Sequence, residues 1–121
     1  MNNPLETEVG GTHYQMYVMQ PVELFMACGW NYCQSNIAKY VLRHQDKNGK
    51  EDLEKALHIC NIGCHYDECS NTDYKHKAII ETFVRVNIFD RAMLLFLCDI
   101  DNKEYGHVLK KITYTIEKFY N

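Results

Sequence analysis

The stretch Ser35 to Ala56, SNIAKYVLRHQDKNGKEDLEKA, places two amphipathic helical patterns on either side of a short glycine-containing turn. Each residue of an α-helix advances about 100° around the axis, so Ile37, Ala38, Val41 and Leu42 share one side. Asn36, Lys39, Tyr40 and Arg43 form a separate narrow stripe. One face builds core and the other presents polar groups. Ser35 is the expected cap of this helix, which runs to about Gln45. In Asp46-Lys47-Asn48-Gly49 the Asn-Gly pair permits positive φ, and the turn folds the next helix, about Lys50 to Asp67, back as an αα-hairpin.

The second helix opens with Glu51 and Asp52, which suit the positive end of its dipole. Its expected apolar face is Leu53, Ala56, Leu57, Cys60 and Cys64, with Gly63 permitting close packing. Asp52 lies at the edge of that face, nearer the partner helix than Glu54. Four other helical segments follow from the same reading. Pro21 to Cys28 has Pro at its first turn, Glu23 beside it and Gly29 as a stop. Tyr74 to Val86 carries Ala78, Ile79, Phe83 and Val86 at helical spacing. Asp90 to Cys98 is so apolar that it belongs in the core or in a subunit interface, and Asp99 to Asn102 punctuates the chain after it. Lys103 to Tyr120 places Val108, Leu109, Ile112, Ile116 and Phe119 on one stripe.

The expected fold class is therefore all-α, a compact multi-helix domain built around a central αα-hairpin. The 121 residues fit a single domain: a flexible arm over 1–12, a helical core over 13–69 and C-terminal helices over 73–121, the last a candidate oligomer interface. A net charge of -3 gives no global basic field, so duplex nucleic acid is not an expected partner. No apolar run approaches 18 residues and the N-terminus lacks a secretory pattern. The reading is a soluble intracellular protein with no membrane association, whose six cysteines are thiols. Cys60-x3-Cys64-His65-x3-Cys69 has zinc-ligand residue types, but two of the cysteines fall on the apolar face and His65 points about 100° away. They read as core thiols, and no metal ligand is assigned.

The chain has no phosphate loop, no dinucleotide glycine fingerprint and no nucleophile elbow. Any phosphoryl chemistry must use side chains. The Asn36, Lys39, Tyr40 and Arg43 stripe offers an amide, an ammonium, a phenol and a guanidinium suited to phosphate and base recognition, although composition alone favours a solvated face.

The series His13-Tyr14, Pro21-x-Glu23, Asn36-x-x-Lys39-Tyr40-x-x-Arg43, Lys47-x-Gly49 and Glu51-Asp52-Leu53-x-Lys55-Ala56 resembles a family of small bacteriophage domains regarded as nucleotide kinase-like. The resemblance covers about residues 13 to 60, with Ser35 where that family commonly has Gly. It implies a phage-encoded protein acting on nucleotides in the cytoplasm of an infected bacterial cell, with homo-oligomerisation. In that reading His13, Arg43 and Asp52 are the catalytic candidates, and Tyr14, Glu23, Asn36, Lys39, Tyr40, Arg43 and Lys47 bind ligand. A nucleoside triphosphate donor would bring Mg²⁺, held or assisted by Glu23 or Asp52. A second expectation keeps the same residues but only sequesters a nucleotide or a cyclic-nucleotide messenger, as an anti-defence protein would, with Trp30 and tyrosines stacking on bases. A third is a helical interaction protein that meets a host protein through Met93 to Cys98.

Overall fold

Side chains that bond to free backbone amides mark where several helices of this chain begin. The structure, a computed structural model, describes residues 16–67 and 76–120. These form α1 (Pro21–Cys28), α2 (Tyr32–Arg43), α3 (Lys50–Tyr66), α4 (Lys77–Val86), α5 (Arg91–Asp101) and α6 (Tyr105–Phe119). No strand occurs among the described residues, and the fold is all-α. At α1, Glu23 Oε2 accepts from the Gln20 amide at 2.6 Å, Pro21 opens the first turn, and Gly29 ends the helix in the left-handed conformation.

Helix α2 begins a turn earlier than expected. Asn31 Oδ1 accepts from the Gln34 amide and Gln34 Oε1 accepts from the Asn31 amide, both at 3.0 Å. This reciprocal pair satisfies two end donors at once, so Asn31 is the cap. Ser35 lies inside the helix and its hydroxyl donates to the Trp30 carbonyl at 3.5 Å. The buried Gln34 side chain also reaches across the core, its Nε2 donating to the carbonyls of Ile100 at 3.0 Å and Asp101 at 3.2 Å. Those are end-of-helix acceptors of α5. Their satisfaction lets α5 run on to Asp101, through the segment expected to break it.

The hairpin turn closes with the Gly49 amide donating to the His44 carbonyl at 2.8 Å. Gly49 has φ +57° and ψ -124°, a backbone state that a side chain makes costly. Helix α3 then lies between α2 and α6, its two main packing partners, while α5 joins α4, α6 and α2, and α1 rests on α4 and α2. One shared core includes Leu24, Ile37, Leu53, Phe83, Leu97 and Ile112.

Three burial expectations are corrected. On α3, Ile59 joins Leu53, Ala56, Cys60 and Gly63 inside, whereas Cys64 is exposed. With α2 on one side and α6 on another, the buried arc of α3 is rotated towards Ile59. On α4 the buried residues are Ile80, Phe83 and Val84, with Ala78 exposed, because α1 and α5 meet that arc. Phe119 is exposed on α6, and Tyr105 takes the buried place at the other end. Phe96, Leu97 and Cys98 pack into this chain's own core, the first of the two places expected for that apolar run, and leave Leu95 exposed.

Candidate functional site on the α2 and α3 face

Three cations converge on one aromatic ring. Arg43 Cζ lies 4.7 Å from the Tyr40 ring centroid, Lys39 Nζ 5.2 Å and Lys55 Nζ 5.7 Å. Arg43 stands three residues after Tyr40 and four after Lys39 on α2, the spacings that make side chains neighbours on a helix surface. Lys55 arrives from α3, where Leu53 and Ala56 are buried against the neighbouring helices and turn Lys55 outward. All three distances fall within the roughly 6 Å reach of cation–π attraction. The ring's negative face gathers charges that would otherwise repel.

Beneath this group Arg43 Nη2 meets Asp52 Oδ1 at 3.3 Å, with the Asp52 side chain fully buried and Arg43 only 13% exposed. Asp52 Oδ2 accepts from the Asn48 amide at 3.2 Å. The Asp52 carboxylate thus fastens α2, the turn and the first turn of α3 to one another. An ion pair of this kind resists loss of either partner more than it adds net stability. Glu51 Oε1 approaches Lys55 Nζ at 3.7 Å, an exposed pair one helical turn apart of small energetic weight.

The expected site residues separate into groups. Lys39, Tyr40 and Arg43 come together, and Asp52 lies directly below them. Asn36 Nδ2 is turned back onto the Tyr32 carbonyl at 2.9 Å, a bond within α2. Lys47 is exposed in the turn and is not one of the cations on the Tyr40 ring. Glu23 caps α1. His13 and Tyr14 lie outside the described residues. The Trp30 ring stacks on Phe25 at 5.6 Å and its Nε1 donates to Asp101 Oδ1 at 2.8 Å, away from the Tyr40 group. Sequence reasoning missed Lys55 as a member of the site. The signal was its outward register on the helix that folds back against α2.

At the turn, His44 Nδ1 and the Tyr120 hydroxyl are 2.7 Å apart, in a hydrogen bond whose direction follows the imidazole tautomer. Burial lowers the His44 pKa, with Asp52 and Asp46 pulling the other way. The Tyr120 ring also covers Gly49, where an added Cβ would stand 3.3 Å from Tyr120 Cε1.

At the far end of α3, Asp67 Oδ2 accepts from the Tyr105 hydroxyl at 2.5 Å and from Asn31 Nδ2 at 2.7 Å, while Lys103 Nζ meets Oδ1 at 3.0 Å. Burial raises the Asp67 pKa, but these three donors outweigh it and hold the carboxyl below its ordinary value. Burial and the same carboxylate push the Tyr105 phenol up. These partners are already matched, so the cluster braces the fold.

Residues 7–61 match the family DUF3310, described as a protein of unknown function. The matched span holds α1, α2 and α3 as far as Asn61, and with them all of the Tyr40 group. The chain is similar to that family over less than half its length, and the family's description carries no activity. No curated protein and no solved structure matches the chain.

Proposed function

We propose that the protein binds the phosphate of a nucleotide at the Tyr40 face, as part of a bacteriophage programme in the bacterial cytoplasm. The observation that carries this reading is the convergence of Lys39, Arg43 and Lys55 on one ring. The two lysines are the groups that reach a ligand, because Arg43 is mostly buried and tied to Asp52. Arg43 orients Tyr40 and supplies field, and the exposed part of the ring offers a stacking surface to a base.

Within this reading, holding the nucleotide is favoured over phosphate transfer. Asp52, the acid best placed by sequence, is fully buried and has both oxygens engaged, Oδ1 with Arg43 and Oδ2 with the Asn48 amide. Held in this way, Asp52 is poorly placed to take a proton from an acceptor hydroxyl, as general base catalysis requires. A kinase activity would need His13 or another group to serve as base. Homo-oligomerisation belongs to the same proposal, with exposed Val22 and Met26 on α1 and Ile88 after α4 as apolar material for contacts between copies.

The test is a thermal-shift screen against nucleoside mono-, tri- and cyclic phosphates, since a ligand of the folded state raises apparent stability. At least one class should raise the melting temperature. Lys39→Ala and Lys55→Ala should each weaken its binding about tenfold, in keeping with a charge-assisted hydrogen bond, while leaving the free protein's melting point almost unchanged. Recovery of unaltered ligand marks a binding protein, and a new phosphorylated product marks a kinase. A panel with no shift would overturn both.

A further inference from the structure

The zinc-type residues of α3 form no ligand cluster among the described residues, since Cys60 is buried and Cys64 and His65 are exposed. A different set does converge. Cys28 at the end of α1, His76 immediately before α4 and Asp101 at the end of α5 place one ligand atom each within 4.8 Å of one another. Three separate elements supply thiol, imidazole and carboxylate to a single point. His76 Nδ1 stands 2.8 Å from Asp101 Oδ1, and Trp30 Nε1 donates to the same oxygen at 2.8 Å. The indole bond fixes the carboxylate's orientation from outside, as second-layer donors do around metal centres.

From this geometry we propose a zinc site with three protein ligands, Cys28 Sγ, a His76 ring nitrogen and an Asp101 oxygen, and a fourth position for water. Zinc bonds of about 2.0–2.3 Å in a tetrahedron separate the ligand atoms by roughly 3.3–3.7 Å, so the cluster closes around the ion with shifts of about 1 Å. The soft thiolate and the imidazole select zinc over magnesium and calcium. Binding releases the Cys28 thiol proton. Cys28 and Asp101 are shielded, with the Asp101 side chain 8% exposed, whereas the His76 side chain is 34% exposed. Solvent therefore approaches from the imidazole side. The ion would tie α1, α4 and α5 together, and the proposal does not depend on nucleotide binding.

The experiment titrates the metal-stripped full chain with Co²⁺ and then Zn²⁺. Cobalt should give tetrahedral visible bands and a thiolate charge-transfer band that saturate at one equivalent. Zinc should displace it and raise the melting temperature by several degrees. His76→Ala and Cys28→Ser should abolish the bands, and Cys64→Ser should keep them. His76→Ala alters a partly exposed side chain and decides the matter even if Cys28→Ser does not fold. Absence of the bands in the unaltered chain, their survival in His76→Ala, or their loss in Cys64→Ser would overturn the proposal.

Discussion

His44 couples one proton to the geometry of the hairpin turn. Its pKa is lowered in the folded chain by burial, so as pH falls below about 6.5 the unfolded chain takes up the proton first. Stability is therefore full above that value and declines as pH drops through the depressed pKa. Melting temperature measured between about pH 7.5 and 5.5 should fall more in the unaltered protein than in His44→Gln, and equal slopes would remove His44 from the account. Other single residues show where sequence reasoning reached and where it stopped. Lys39, Tyr40 and Arg43 were legible as one stripe because helical spacing alone makes them neighbours. Lys55 was not, because its distance from Tyr40 depends on how the two helices register across the turn. Asn31 offered a local signal, an Asn followed three residues later by Gln, which is a capping-box arrangement with amides in both places. Asp67 and Asp101 offered none. Their partners lie 36 to 71 residues away in some bonds, and only tertiary structure brings such donors together.

Among the elements, α3 carries the heaviest constraint because it packs between α2 and α6. Gly63 sits against the Tyr105 ring so closely that an added Cβ would lie 2.8 Å from Tyr105 Cε1. That ring is also held through its hydroxyl by Asp67, so it is not free to swing away. Gly63→Ala should cost about 1–3 kcal/mol by overpacking, read as a lower chemical-denaturation midpoint. A neutral result would mean that α6 slides to accommodate the methyl group. The existence of all six helices was readable from apolar periodicity, punctuated by Pro21, Gly29 and Gly49. Their ends and buried arcs were less so. Helix α5 continues to Asp101 because Gln34, on another helix, satisfies its terminal carbonyls, and α4 buries the arc that α1 and α5 happen to cover. Neither fact is local to the segment it alters. Periodicity identifies a helix's apolar stripe, but its neighbours choose which edge of that stripe is sealed.

For the molecule as a whole, the span similar to DUF3310 ends at residue 61, yet its hairpin is completed by helices beyond it. Tyr105 and Lys103 hold Asp67, and Tyr120 closes over Gly49 and His44. The contact between His44 and Tyr120 spans 76 residues, whereas Arg43 and Asp52 are only nine apart. That disparity orders events in time. The α2–α3 pair closes a short loop and can form early, while the Tyr120 clasp must wait until most of the chain is in place, since distant contacts bear a larger loop-closure entropy. An interaction made after the folding barrier acts on the reverse rate. Tyr120→Phe, which removes the hydroxyl but keeps the ring over Gly49, should speed unfolding by roughly three- to tenfold for a lost bond of about 1 kcal/mol and leave the stopped-flow refolding rate almost unchanged. A slower refolding rate would place the clasp in the transition state. With that outcome Tyr120 is a latch that sets the lifetime of the hairpin, and with it how long the Tyr40 face persists once formed.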